Sequence, residues 1–162
     1  MVQHEFAIEL LKEFRKRNVS TAIETTACVK PDIFRNVAGY LDILYIDMKH
    51  WDADKHQEGT GVLPDVILEN TAWAIASKKN VQIRIPVIPD YNDSLDDARH
   101  FAMLLKQVGA DTVQLLPFHQ MGERKYELLD QTYQHRQVKA YYPEDLKEYK
   151  NTFAEHGIHA FF

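Results

Sequence analysis

The sequence predicts an α/β fold of consecutive parallel strand–helix units, for three reasons. Apolar runs of strand length alternate along the chain with segments of helical periodicity. The segments between these runs are long enough to return the chain for a parallel pairing. Charged residues then follow the predicted strands, where parallel α/β folds keep their functional groups. A pattern of four such units is compatible with either an open doubly wound sheet or part of a barrel.

The first half of the chain predicts two helices, two strands and a loop. Apolar residues between Ala7 and Phe14 recur at i, i+3, i+4 and i+7, which is the spacing of a helix with one buried face. Pro31 suits the first turn of the next helix. The expected order is a helix around residues 7–14, a strand over 21–26, a helix over 31–39, a strand over 41–49 and a polar loop over 50–62.

The second half continues the alternation. Pro64 opens a helix, and Ser94 with Asp97 predicts a capping box for another helix, which Gly109 stops. The expected order is a helix from residue 64, a strand over 81–89, a helix over 94–109, a strand over 112–119 and a helix over 143–157, with room for a short final strand over 158–162.

The length of the chain and its number of predicted strands indicate whether it contains a whole barrel. The 162 residues suit one core, so we expect a single domain over residues 1–162. Four strands cannot close a parallel barrel, which needs about eight. The chain also begins on a helix with no preceding strand to cover. We therefore expect this chain to be a C-terminal piece that lacks the N-terminal units of its barrel.

Composition excludes several classes of function. The formal net charge is -5 and no basic cluster is present, so nucleic acid is not an expected partner. No apolar run approaches the length of a membrane span, and no signal peptide opens the sequence. Cys28 is the only cysteine, which excludes an internal disulfide and a cysteine-built metal site. We expect a cytoplasmic protein.

Five charged or titratable residues stand near the ends of the predicted strands: Glu24, Asp47, Lys49, Arg84 and His119. Asp47 and Lys49 are two residues apart on a strand and so share one face. Such a pair suits a polar ligand with its own amine, carboxylate or hydroxyl groups. Each residue also has a structural interpretation, as a buried ion pair, a loop carboxylate, a bridging arginine or a core histidine. Their coincidence at the same end of successive strands favours a site.

Several segments share a recognisable order. They are residues 22–26 (Ala-Ile-Glu-Thr-Thr), 47–50 (Asp-Met-Lys-His), His56 with 60–62 (Thr-Gly-Val), 84–93 (Arg-Ile-Pro-Val-Ile-Pro-Asp-Tyr-Asn-Asp) and 115–126 (Leu-Leu-Pro-Phe-His-Gln-Met-Gly-Glu-Arg-Lys-Tyr). In this order, over residues 1–133, they resemble segments of the glycyl-radical-enzyme activating enzymes. That family of radical S-adenosylmethionine proteins includes the pyruvate formate-lyase activating enzyme.

The resemblance implies an incomplete TIM-like (β/α)6 barrel that holds S-adenosylmethionine against a [4Fe–4S] cluster. In the family, a cluster electron cleaves the cofactor, and the resulting 5′-deoxyadenosyl radical removes a hydrogen atom from a glycine of a large partner enzyme. By position, Glu24, Lys49, Arg84 and His119 are the implied cofactor contacts. Asp47 and Thr25 match positions near a monovalent cation in some relatives. The implied partners are a glycyl radical enzyme, such as pyruvate formate-lyase, and an electron donor such as flavodoxin.

The chain departs from the family pattern in four places. The Cys-x3-Cys-x2-Cys motif is absent, so this chain alone is expected to ligate no cluster and to be inactive. The Gly-Gly-Glu-Pro segment is missing. Asp90 stands at the usual glycine position after Pro89, and Glu24 stands where some relatives have aspartate.

Three other functions remain open at this point. One is a radical S-adenosylmethionine enzyme that acts on a small molecule. Another is a non-catalytic docking module, because an open barrel face and free edge strands need covering. The third is an ordinary barrel aldolase or isomerase with Lys49 as an amine nucleophile.

Overall fold

The computed structural model describes residues 1–133 and 135–162. Helices and strands alternate through most of this part of the chain. The elements are α1 (His4–Lys16), β1 (Ala22–Thr25), α2 (Pro31–Ala38), β2 (Ile43–Asp47), α3 (Ala53–Thr60), α4 (Asp65–Ala76), β3 (Val81–Val87), α5 (Leu95–Gln107), β4 (Thr112–Pro117), α6 (Glu123–Leu128), α7 (Lys147–Glu155) and β5 (His159–Phe161).

The strands form one sheet whose spatial order follows the chain. The order is β1-β2-β3-β4-β5, and every pairing is parallel. A doubly wound sheet reverses its strand order at a switch point, and this sheet does not. With crossovers of one hand, an unreversed order places every helix on the same face, as in the wall of a barrel. The predicted partial (β/α) barrel is confirmed, and the open doubly wound alternative is wrong.

The two faces of the sheet differ in polarity because side chains alternate along each strand. One face packs against the helices and carries the fully buried Leu44, Ile46, Ile83, Ile85 and Leu115. The opposite face carries Glu24, Tyr45, Asp47, Arg84 and Gln114, none of which is fully buried. Only the helix side of β2 is buried, although residues 43–46 are continuously apolar.

Helix boundaries follow local capping chemistry. The predicted capping box of α5 is present, with the Ser94 and Asp97 side chains bonded to one another's backbone N–H groups. Gly109 ends this segment with a φ of 84°, a left-handed conformation that suits glycine. Pro64 immediately precedes α4, as expected.

One helix lies where a loop was expected. Residues 50–62 contain α3, which is capped by the Asp52 side chain and ends at Gly61 with a φ of 81°. Only His56 of this helix is buried, so the segment has no apolar stripe by which periodicity could identify it. The expectation of a plain loop there was wrong.

The C-terminal third also differs in extent from the prediction. The fourth strand ends at Pro117 and not at residue 119, and the last helix begins at Lys147 after turns over residues 143–146. The short α6 had no predicted counterpart. The final segment does form a strand, β5, which adds a fifth member to the sheet beside β4.

In the part of the chain that the structure describes, no helix is both long enough and apolar enough to cross a membrane.

Candidate functional site

Charged side chains gather at the carboxyl ends of three neighbouring strands, on the sheet face opposite the helices. Asp47 is the last residue of β2 and pairs in register with Arg84 of β3. Glu24 of β1 pairs with Tyr45, two residues before Asp47. Parallel register therefore brings these groups from three strands to one edge of the sheet.

Four of these residues form a continuous ionic network. The Arg84 Nε donates to Asp47 Oδ1 at 2.9 Å, and one terminal guanidinium nitrogen donates to Glu24 Oε1 at 2.8 Å. The Lys49 ammonium donates to Asp47 Oδ2 at 2.9 Å. The guanidinium carbon of Arg84 lies 5.3 Å from the centre of the Tyr45 ring, a cation–π distance. Sequence reasoning placed these four charged residues at one site, and the structure brings them together.

Burial is uneven across the network. The Arg84 and Asp47 side chains are 13% and 20% exposed, whereas that of Glu24 is 71% exposed. The hydrogen bond from Arg84, followed by its charge, holds the pKa of Glu24 below its usual value. The hydrogen bond to Glu24 leads the effects that raise the pKa of Arg84. Glu24 and Arg84 are therefore both charged at neutral pH.

The network retains capacity for a ligand. Two cations and two anions balance, so the cluster carries no net charge of its own. A guanidinium has five N–H donors and an ammonium three. Within the described residues, Arg84 uses two donors and Lys49 one. Three guanidinium and two ammonium N–H groups therefore have no partner among the described residues, and the Glu24 side chain is largely exposed.

His119 lies at the same edge but outside the network. It follows β4 by two residues, is exposed, and accepts a hydrogen bond from the Met121 backbone N–H at 3.3 Å. Among the residues that the structure describes, no hydrogen bond or ion pair links His119 to Glu24, Asp47, Lys49 or Arg84. Because β4 ends at Pro117, strand register does not fix the His119 side chain.

Thr25 lies on the other face of the sheet from Asp47. It pairs with the buried Ile46, and its hydroxyl accepts from the Ala27 backbone N–H at 3.0 Å. The described residues contain no group of three or more His, Cys, Asp or Glu side chains that could hold a metal ion. The structure thus does not bring Thr25 to Asp47, and the monovalent cation site stays a prediction.

His56 and Thr60, between β2 and α4, form hydrogen bonds with backbone groups of their own segment. The fully buried His56 ring contacts the Val62 carbonyl through Nδ1 at 2.7 Å. The Thr60 hydroxyl donates to the His56 carbonyl at 2.6 Å, which closes the end of α3. This motif therefore shapes the connection that follows the site.

Two neighbours of the network were not assigned a role from sequence. Tyr45 lies within the apolar run of the predicted strand over 41–49, and its separation of two residues from Asp47 places both side chains on one face. Asn92 stood in a recognised motif without a function, yet it is fully buried and its amide donates to the Lys49 carbonyl at 2.9 Å. Strand alternation could have found Tyr45, whereas only coordinates reveal the bonds of Asn92.

The state of Lys49 bears on the aldolase alternative. An amine nucleophile must be neutral when it attacks a carbonyl. The Lys49 Nζ instead lies 2.9 Å from the Asp47 carboxylate, in a salt bridge that is mostly shielded from solvent. This pairing counts against Lys49 as a Schiff-base residue.

Comparison with known proteins gives a consistent result. No protein-family model matches the chain. The 4-hydroxyphenylacetate decarboxylase activating enzyme of Clostridioides difficile is 36% identical over 160 residues, which cover 98% of this chain and 51% of the relative. The choline trimethylamine-lyase activating enzyme of Oleidesulfovibrio alaskensis is 36% identical over 137 residues, which cover 82% of this chain and 44% of the relative. The chain is a homologue of the glycyl-radical-enzyme activating enzymes.

A solved structure supports the fold of this activating-enzyme homologue. A domain of the pyruvate-formate lyase-activating enzyme from Bacteroides vulgatus superposes with a TM-score of 0.79 at 21% identity, over 99% of this chain and 91% of that chain. The chain spans about half the length of the curated activating enzymes that it matches. The family resemblance inferred from the motifs is thereby confirmed.

Proposed function

We propose that this chain supplies the S-adenosylmethionine-binding edge of an activating enzyme that generates a glycyl radical on a partner enzyme. The observation that carries the proposal is the network of Glu24, Asp47, Lys49 and Arg84 at the strand ends of a barrel-type sheet. Homology to activating enzymes over nearly the whole chain favours this reaction over a small-molecule reaction or a docking role.

The residues of the network fit the charges of this cofactor. S-adenosylmethionine presents a carboxylate, an ammonium group and a sulfonium cation. The unused N–H groups of Lys49 and Arg84 suit the carboxylate, and Glu24 suits the ammonium group. His119 lies at the same edge, with a ring that suits a hydroxyl or an amine of the ligand. When bound beside a reduced cluster, the cofactor supplies the radical chemistry.

The residues do not fit a [4Fe–4S] cluster. Three thiolates hold the cluster in the resembled family, and this chain has one cysteine, Cys28, which is exposed. No step through a cluster is therefore assigned to the side chains of this chain. Its contribution is to bind and orient the cofactor in a partly shielded, charge-balanced site.

The partner is proposed at the level of its class. The relatives are named as activators of a decarboxylase, a choline lyase and a sulfopropanediol dehydratase. These names favour a large glycyl radical enzyme as the protein substrate, and pyruvate formate-lyase is one candidate among several. A flavodoxin-type electron donor and a cytoplasmic location complete the proposal.

The proposal is tested by calorimetric titration of the chain with S-adenosylmethionine. Lys49→Ala is expected to weaken binding about tenfold, because a hydrogen bond between charged groups is lost. His119→Ala is expected to weaken binding to a lesser degree, since this side chain is exposed and outside the network.

The matched control is Lys147→Ala, which removes an exposed lysine near the start of α7. Its affinity is expected to equal that of the wild type. Absence of binding by the wild type, or equal affinities for K49A and K147A, would count against the proposed site.

A further inference from the structure

Asn92 forms a buried junction just outside the ionic network. It lies fully buried in the turn that follows β3. Its side-chain nitrogen donates to the backbone carbonyls of Lys49 and Pro86, each at 2.9 Å. Its side-chain oxygen accepts from the Ile88 backbone N–H at 2.7 Å. Both polar side-chain atoms of Asn92 therefore hold backbone groups.

These bonds lie where strand pairing stops. The register of β2 and β3 ends at the pair of Asp47 and Arg84, and the Met48 N–H still donates to the Arg84 carbonyl at 2.8 Å. Pro86 has no N–H to continue the ladder. The Asn92 amide instead bonds to one carbonyl from β3 and one from the segment after β2. It thereby sets the separation of these two segments beyond the last hydrogen bond of the ladder.

The two carbonyls belong to the segments that carry the cationic groups of the site. One is the carbonyl of Lys49 itself, which lies beyond the end of β2. The other is that of Pro86, two residues after Arg84 on the same strand. A change in the separation of these segments changes the distance between the ammonium and the guanidinium group.

We propose that Asn92 is a positioning residue that holds Lys49 and Arg84 at the separation at which they bind the ligand carboxylate. This inference rests on the proposed function. Asn92 touches neither side chain of the pair and acts through the backbone of both segments.

The test variant is Asn92→Asp. Aspartate keeps the size of the side chain and its acceptor for Ile88, but it places an oxygen against the two carbonyls where the amide donated. The hydrogen bonds to the Lys49 and Pro86 carbonyls are both lost, while the four residues of the ionic network are unchanged.

The matched control is Tyr149→Phe. The Tyr149 hydroxyl is buried and donates to the Asn92 backbone carbonyl at 3.0 Å. Burial raises the pKa of Tyr149, so this hydroxyl remains a donor. Removing it breaks a buried bond at the same residue without touching the bonds to Lys49 and Pro86, and so it reports the effect of local destabilisation alone.

The readout is calorimetry with S-adenosylmethionine at a temperature where circular dichroism shows each variant folded. N92D is expected to bind about tenfold more weakly than the wild type, and Y149F to stay within about twofold. If N92D does not fold, Asn92→Ser replaces it; serine donates at most one bond, and the expected loss is about threefold. Equal affinity losses in the asparagine and tyrosine variants would overturn the proposal.

A second readout needs no ligand. The NMR signal of the Lys49 Cε methylene reports the position of the ammonium group beside Asp47. It is expected to shift in N92D and to stay in place in Y149F; an unchanged signal in N92D would overturn the positioning role. Failure of the wild type to bind S-adenosylmethionine would count against the proposed function, while the NMR comparison still decides the role of Asn92.

Discussion

Asp47 is the residue around which the candidate site is organised. Its two carboxylate oxygens accept from different cations on different segments, Arg84 on β3 and Lys49 beyond β2. Hydrogen bonds between charged groups contribute about 1.5–3 kcal/mol each when they are shielded from solvent. Asp47 is mostly shielded, so it holds both cations close together although they carry like charges.

His50 is a buried residue next to this site, and its ring position is fixed by backbone groups. Its Nδ1 accepts from the Asp52 N–H at 2.9 Å, so the proton is on Nε2, which donates to the Tyr91 carbonyl at 3.1 Å. Burial lowers the pKa of His50 and outweighs the opposing effects of that hydrogen bond and of Asp97, whose carboxylate lies 4.0 Å away. The folded protein thus favours the neutral ring.

This preference predicts a pH dependence of stability. A group whose pKa is lower in the folded state contributes stability that is complete above its unfolded value of about 6.5 and is lost as the pH falls toward the folded value. The free energy of unfolding, measured with urea, is therefore expected to decline from pH 7 to pH 5.5. In His50→Gln this decline is expected to shrink, whereas in His100→Gln, which alters a partly exposed histidine on α5, it is expected to persist. Equal pH dependence in the two variants would contradict the role of His50.

Asp90 shows how one departure from the family pattern is accommodated. It stands at the position where the family usually has glycine, and its φ is 62°, in the left-handed region. Aspartate tolerates this conformation better than most non-glycine residues. The Asp90 backbone N–H also donates to the Asp93 side chain at 3.1 Å, which closes the turn. A left-handed turn thus forms with aspartate at this position.

At the scale of elements, α3 packs against the turn after β3 through a tyrosine. The Tyr91 hydroxyl donates to the Lys55 carbonyl at 3.0 Å, and the Tyr91 ring lies 4.9 Å from the ring of His50. Gly59 allows this approach, since a methyl group there would overlap the hydroxyl oxygen and lie 2.8 Å from the ring carbon Cζ. The glycine is required by close packing and not by backbone conformation.

Gly59→Ala therefore sets two effects against each other. Alanine in a helix is favoured over glycine by about 1 kcal/mol, but displacing Tyr91 loses a hydrogen bond of similar size together with its packing on His50. The net free energy of unfolding is expected to fall by about 1 kcal/mol in thermal or urea denaturation.

A second background separates the two effects. In Tyr91→Ala the clash is absent, so adding Gly59→Ala is expected to stabilise the protein. Destabilisation of the same size in both backgrounds would show that Tyr91 is not the reason for glycine at this position.

The elements that sequence predicted well are those with an apolar signal. The helix α5 carried both a buried stripe and a capping box, and the strand β3 has an apolar residue at every second position from Val81 to Val87. By contrast, α3 is polar and held by end caps, so hydrophobic periodicity did not reveal it. The end of β4 was predicted two residues too late, because the motif of residues 115–126 continues past Pro117 although the strand does not.

At the scale of the whole molecule, the unreversed strand order accounts for the site. Parallel strands in sequential order bring their carboxyl ends to one edge, so residues far apart in the chain, such as Glu24 and Arg84, meet there. Sequence could predict this gathering because it needs only the order of the strands. It could not predict which donors stay free, because this depends on side-chain orientation, whereas strand alternation alone places Thr25 on the face opposite Glu24.

The composition of the whole chain also predicts its behaviour toward iron. After anaerobic reconstitution with iron and sulfide, the chain is expected to show no stable cluster absorbance in the visible range, because one thiolate cannot hold a [4Fe–4S] cluster. Cys28→Ser is the control and is expected to give the same spectrum. A stoichiometric cluster that survives gel filtration in the wild type would contradict this expectation.

The balance of two acids and two bases at the strand ends has a consequence for selectivity. A zwitterion fits such a site without adding net charge, because its carboxylate meets the unused N–H groups of Lys49 and Arg84 while its cation meets Glu24. Molecules that carry only an acid or only an amine would leave one group of the protein unmatched. Discrimination by this edge then depends on the distance between opposite charges within the ligand more than on their sum.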